Sequence, residues 1–292
     1  MDPQNHSALA TAVKTILFPT DFSPSAHHAM KHAVRIAETW DAKLIMVHAY
    51  HYSAVGSFYV TPELIHMVNN NRRDEAESAI QNYIETIKEE TGGKIDIAYQ
   101  LVYGFPEDEI LTIAKDQDAD LIVMGTKGAG NLAEKWIGSI TSRIIERSEV
   151  PVLAIPSETD VQSVKRIAYA TNFEEKDLRL PEFLLAVTEK YEATLTCIHI
   201  NKEEQDEWNQ LQLAMRKQMF GLENRAPKVE FHILHNDNLQ TGLEEYVEEN
   251  EIDVLAVLSK QHGFWDRLFM RSDTRTLALS SKIPLLVLKR DK

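Results

Sequence analysis

The sequence predicts an α/β fold built as two tandem open parallel five-stranded sheets with helices on both faces. Three observations carry this expectation. Short runs of aliphatic and β-branched residues alternate with longer stretches of helical spacing along the whole chain. The alternation repeats: Thr15-Ile-Leu-Phe-Pro-Thr-Asp-Phe22 returns as Arg166-Ile-Ala-Tyr-Ala-Thr-Asn-Phe173, and Leu44-Ile-Met-Val-His48 as Leu195-Thr-Cys-Ile-His199, at one common offset. Later, Ala119-Asp-Leu-Ile-Val-Met124 returns as Ile252-Asp-Val-Leu-Ala-Val257, and Val150-Pro-Val-Leu-Ala-Ile155 as Ile283-Pro-Leu-Leu-Val-Leu288, at a shorter one. The first copy therefore carries the longer connection, with its surplus near residues 51–73. The polar stretch Ser157-Glu-Thr-Asp-Val-Gln-Ser163 reads as a linker, so the expected domains are residues 1–156 and 164–292.

In the first copy a strand is expected at 15–19, followed by a helix start at Ser23-Pro-Ser25. Met30, Ala33, Val34 and Ala37 fall on one face of that helix. A strand at 43–49 precedes a long helix over 62–90, which the Gly92-Gly93 pair stops. A strand at 95–102, a helix at 106–116, a strand at 120–124, a helix from Gly138 and a strand at 151–155 complete the copy. Alternation with right-handed crossovers gives a parallel sheet covered on both faces. Ligands of such sheets bind at the carboxyl ends of the strands, where the winding reverses. Pro19-Thr20-Asp21 and Gly125–Gly130 both follow strand ends on that side.

Composition excludes several classes. The chain has 292 residues, 43% of them apolar, enough for packed cores rather than disorder. A net charge of −14 argues against general affinity for nucleic acid or anionic membrane. The single cysteine, Cys197, cannot form an internal disulfide and sits in an apolar strand-like run, which fits a reducing compartment and a small buried hydrophobe. The amino terminus shows no signal peptide pattern and no apolar run approaches a membrane span, so a cytoplasmic protein is expected.

The most informative stretch reads G-x2-G-x9-G-S, from Gly125 through Gly128 to Gly138-Ser139. It leaves the apolar run Leu121-Ile-Val-Met124 and enters a helical segment. Glycines lack a Cβ, so a ligand can approach the backbone and positive φ is available. Gly138-Ser139 sets free amides and a hydroxyl at a helix start, where the macrodipole favours an anion such as phosphate. A carboxylate such as Asp21 can accept from both hydroxyls of a ribose.

On these residues the chain resembles the universal stress protein family in a tandem form. The resemblance rests on Pro19-Thr20-Asp21-Phe22-Ser23, on Val47-His48-Ala49, on Gly104-Phe-Pro106 and on the glycine pattern, which marks the ATP-binding branch. It implies a Rossmann-like sheet of order 3-2-1-4-5. It implies adenine near Pro19 and Ala49, with the Ala49 main chain reading its edge. Asp21 and the Gly125 backbone would hold the ribose, with Thr20 close by. Gly128, Gly138, Ser139 and the Ile140 amide would hold phosphates, with Lys127 in reach and a divalent cation, magnesium or manganese, accompanying them.

The second copy departs from this pattern. Asp21 becomes Asn172 and Pro19 becomes Ala170. Leu258, Gln261 and Arg271 stand where the three glycines would be, and Phe264, Trp265, Leu268 and Phe269 add apolar bulk. One nucleotide per chain is therefore expected, in the first copy. The expected function is a nucleotide-dependent sensor in the stress response, with a slow ATP hydrolase or a ligand-free scaffold as alternatives. The copies are expected to pack as an internal pseudo-dimer, the resembled family often associating along the fifth strand, here 152–155 and 285–288, and a further homodimer of chains is left open. Other signals carry less. Gly128-Ala-Gly130-Asn-Leu-Ala133 fits a dinucleotide fingerprint but follows the fourth strand, not the first. No G-x4-GK-[ST] loop and no G-x-S-x-G elbow is present. His28 and His32 are expected on an exposed polar helix face without a third metal ligand. His48 and His199, ending equivalent strands, read as a repeated structural histidine. The acidic run from Glu244 to Glu251 suits a solvated helix face.

Overall fold

The computed structural model describes residues 13–50, 62–126, 137–159, 162–171, 182–201, 228–258 and 283–289. These fall into two compact units, one drawn from residues 13–157 and the other from residues 158–292.

The first unit runs β1 (Thr15–Pro19), α1 (Pro24–Trp40), β2 (Lys43–Tyr50), α2 (Pro62–Thr91), β3 (Ile97–Tyr103), α3 (Pro106–Asp116), β4 (Leu121–Gly125), α4 (Ser139–Arg147) and β5 (Val152–Ile155). β1 pairs with β2 and β4, β2 with β3, and β4 with β5, all parallel, giving the order 3-2-1-4-5. The second unit runs β6 (Arg166–Ala170), α5 (Glu182–Lys190), β7 (Thr194–Asn201), β8 (Val229–His235), α6 (Leu239–Glu249), β9 (Val254–Leu258) and β10 (Leu285–Leu288). Its pairings are again all parallel and repeat the same order, with β8, β7, β6, β9 and β10 in the five places.

Local chemistry sets the element ends. The Ser23 side chain accepts the Ala26 N–H at 3.2 Å and Pro24 fills the first turn of α1. Asp41 ends α1 in the left-handed region at φ 53, and Glu192 does the same after α5 at φ 50. Asp118 and Glu251 are a second such pair, at φ 46 and 47. Gly92 and Gly93 stop α2 at φ 63 and 71. The start of β4 is tied to β1 by Asp120, whose Oδ2 accepts the N–H groups of Lys14 and Thr15 at 2.8 and 2.9 Å. Asp253 repeats the device in the second unit, accepting from Lys165 and Arg166 at 2.7 and 2.8 Å.

The strands at the sheet centre are apolar along their length. Every residue of β4 and β9 is buried, as both faces of a parallel sheet require. In the first unit α1 packs on β1, β2, β4 and β5, and α3 packs against α4. Ion pairs Arg143–Glu107 and Arg147–Asp108, the latter at 2.7 Å, link α4 to α3. The broad footprint of α1 corrects one expectation. His32 is buried rather than on a solvated face, and the Nε2 of His28 is buried without a hydrogen-bond partner among the described residues. Among the described residues no helix is long and apolar enough to cross a membrane.

Candidate functional site

The carboxyl ends of β1, β2 and β4 lie side by side in the first unit, because β1 sits between the other two. The connections after β1 and β4 lead to α1 and α4, which close crossovers to opposite sides of the sheet order. This is the switch point of the winding.

The backbone here has a gap in its hydrogen-bond ladder. In a parallel strand, alternate residues turn their N–H and C=O to opposite neighbours. Leu44 donates to Asp96 and Tyr50 accepts from Gly104, so even-numbered residues of β2 face the β3 side. Lys43 donates to Lys14 and Val47 accepts from Thr20 at 2.8 Å, so odd-numbered residues face the β1 side. The next rung would join the Ala49 N–H to the Thr20 carbonyl, and the rung after it the Phe22 N–H to the Ala49 carbonyl. Neither forms. The Thr20 carbonyl accepts from His48 Nδ1 at 2.8 Å, and the Phe22 N–H donates to Thr20 Oγ1 at 3.1 Å. Ala49 is left at the sheet edge with an adjacent donor and acceptor that no described backbone group takes.

Around this edge, Thr20 and Pro19 are buried and Asp21 is exposed. Asp21 Oδ1 accepts the Ser23 N–H at 3.0 Å, which fixes the carboxylate at the mouth of α1. Phe22 holds a left-handed backbone at φ 59, rare for an aromatic residue. Its ring meets His48 at 4.6 Å and Tyr83 at 5.7 Å, and Tyr83 also meets His27 at 5.4 Å. Burial pushes the Tyr83 hydroxyl above its ordinary pKa, and the Asp21 charge adds to that.

On the other side of β1, Gly138 is the N-cap of α4 and donates its own N–H to Thr126 O at 2.7 Å. The Thr141 hydroxyl donates to Gly125 O at 3.1 Å. These two bonds bring the β4 end and the α4 start together. Among the described residues no side chain caps α4, and Ser139 and Ile140 are exposed, so no described group takes the amides of its first turn.

The structure thus groups Pro19, Thr20, Asp21, Ala49, Gly125, Gly138, Ser139 and Ile140 at one end of the sheet. Lys127 and Gly128 lie outside the described residues, as do Asn172, Gln261 and Arg271 of the second copy. At residue 125 a packing reason for glycine stands beside the expected one. A Cβ there would meet Ser25 Oγ at 2.9 Å and Ser25 O at 3.1 Å, so this glycine admits the start of α1. Neither Gly125 nor Gly138 uses positive φ. Gly138 sits at φ −63, and the positive-φ glycines among the described residues are Gly92 and Gly93. Phe22, His48 and Tyr83 pack beside these residues, although residue patterns did not assign them to the candidate site. The repeated histidine was visible, but its role depends on where β1 stops relative to β2. Among the described residues no group of three His, Cys, Asp or Glu side chains is placed to hold a metal ion.

The comparisons with known proteins agree on one family. The family model described as "Universal stress protein family" matches residues 12–156 and 163–289. Universal stress protein MJ0577 of Methanocaldococcus jannaschii is 32% identical over 160 residues, half of this chain and 97% of that protein. Universal stress protein YxiE of Bacillus subtilis is 29% identical over 146 residues, 48% of this chain and 97% of its own length. A solved universal stress protein from Archaeoglobus fulgidus superposes with a TM-score of 0.70 over 95% of this chain and 97% of that one, at 19% identity, a likeness of fold.

Proposed function

Because the chain belongs to the universal stress protein family and carries its domain twice, we propose that it binds one adenine nucleotide, ATP in the first instance, at the first domain and acts as a nucleotide-dependent regulatory module in the stress response. The observation that supports this reading most is the open donor–acceptor pair of Ala49. An adenine edge offers a ring nitrogen acceptor beside an amino donor, the complement of that pair. The uncapped amides of α4 lie two strand spacings away, about 10 Å, across β1. A nucleoside laid over the end of β1 would take its base at Ala49, its ribose hydroxyls at Asp21 and its phosphates at Ser139 and Ile140. Lys127 and Gly128 complete the phosphate side in this reading. A divalent cation would be held mainly through the phosphates.

Calorimetry with ATP tests the proposal, with one site per chain expected. Asp21→Ala removes the ribose acceptor and should weaken binding by about tenfold. Gly138→Glu sets a carboxylate against the phosphates and should weaken it at least as much. The backbone of Gly138, at φ −63 and ψ 156, is open to any residue, so the variant should fold. Wild-type affinity in both variants would move the site elsewhere.

A further inference from the structure

We propose that His48 is a positioning residue that sets base selectivity by keeping the Ala49 main chain out of the β-ladder. The inference rests on the reading that an adenine base pairs with Ala49. β1 and β2 are in register through Pro19 and Val47, and the rung from Thr20 N–H to Val47 O is made at 2.8 Å. The chain turns out of the strand only beyond this rung, at the left-handed Phe22. The Thr20 carbonyl is the natural acceptor for the Ala49 N–H, and the His48 ring takes it at 2.8 Å. A carbonyl only accepts, so the His48 proton sits on Nδ1. The Phe22 ring packs against the imidazole with centroids 4.6 Å apart and holds it over the carbonyl. Thr20 acts in parallel from the other side. Its hydroxyl takes the Phe22 N–H at 3.1 Å, the donor that would otherwise close on the Ala49 carbonyl. Two side chains thus intercept both backbone partners of Ala49, and the left-handed Phe22 is the turn this requires.

The second unit holds a matched copy. Thr171 N–H donates to Ile198 O at 3.0 Å and His199 Nδ1 donates to the Thr171 carbonyl at 3.1 Å. The same bond stands there without the glycine pattern, so His199 provides an internal comparison for any general effect of losing an imidazole bridge.

The test uses the full chain and three readouts: hydrogen exchange at the Ala49 amide without ligand, calorimetric affinity for ATP, and affinity for ITP, whose base inverts the donor and acceptor at these two positions. In His48→Leu the Thr20 carbonyl is released to Ala49. The Ala49 amide should then exchange about tenfold more slowly, and the preference for ATP over ITP should fall by about tenfold. His48→Asn, whose amide can donate from nearly the same place, should restore both. Should His48→Leu fail to fold, Thr20→Val frees the Phe22 N–H and should likewise erode the preference. His199→Leu should leave ATP affinity and selectivity at their wild-type values. Unchanged Ala49 exchange and unchanged selectivity in His48→Leu, or an equal loss in His199→Leu, would overturn the proposal. A wild-type chain that binds ATP and ITP equally would instead overturn the reading of Ala49, while the exchange measurement would still report whether His48 holds the ladder open.

Discussion

A single missing Cβ at residue 125 decides how closely α1 can approach the sheet. The nearest neighbours of an added carbon include the Ser25 carbonyl at 3.1 Å, which cannot rotate away as a side chain could. Gly125→Ala should therefore cost about 1–3 kcal/mol of stability in a urea denaturation series, in the absence of any nucleotide. A loss seen only with ATP bound would assign the glycine to ligand contact instead. Tyr83 makes a second prediction at this scale. Its pKa is raised in the folded state by burial first and the Asp21 charge second. The folded form then holds the proton more tightly than the unfolded chain does. This contribution is complete below the ordinary value of 10.0 and fades as pH rises beyond it. Tyr83→Phe should flatten part of the alkaline decline in stability, measured by denaturation above pH 10. The glycine at 125 was legible as a marked position, but its packing against α1 was not, because Ser25 is far from it in sequence.

Elements here are delimited by hydrogen-bonded ends more than by composition. Asp120 and Asp253 each clamp two amides at the start of a first strand, and each sits at the foot of the fourth strand of its unit. Asp120→Ala or Asp253→Ala should cost about 1–2 kcal/mol, since two amides lose a charged acceptor at a partly solvated edge. Thermal melts of the two variants check this, and a wild-type melting point in both would leave the clamps without energetic weight. Strand identities and the stop at Gly92-Gly93 were legible because apolar runs and paired glycines act locally. Boundaries drifted by one or two residues. β2 continues to Tyr50 and β3 begins at Ile97, because pairing across the sheet, not residue type, sets those limits. The α4 start was read at Gly138, which proves to be the cap rather than the first helical residue. The open edge at Ala49 was not derivable from spacing at all. It requires the register of two strands and the side chains of Thr20 and His48 together.

At the scale of the whole molecule, two domains of one ancestry share strand order, left-handed caps, aspartate clamps and the histidine bridge, yet their sequences differ where phosphates would bind. The shared strand order, left-handed caps and aspartate clamps are those a parallel α/β unit needs to fold, and the histidine bridge has persisted beside them. The divergent ones, Asn172 for Asp21 and Leu258, Gln261 and Arg271 for the glycines, fall where the proposed nucleotide would bind. Leu258 ends β9 as Gly125 ends β4, and it is buried there. Restoring one polar group should therefore not restore a site. Asn172→Asp restores the carboxylate in the sequence, but Leu258, Gln261 and Arg271 still stand in place of the three glycines. A carboxylate–hydroxyl contact contributes about 1.5–3 kcal/mol, too little by itself to give measurable binding at ordinary calorimetric concentrations. The stoichiometry of Asn172→Asp should stay at one ATP per chain, with the affinity of the first domain unchanged. A second equivalent of ATP in that variant would show that the later domain kept its phosphate cradle through other residues, and the assignment of binding to the first domain alone would fall.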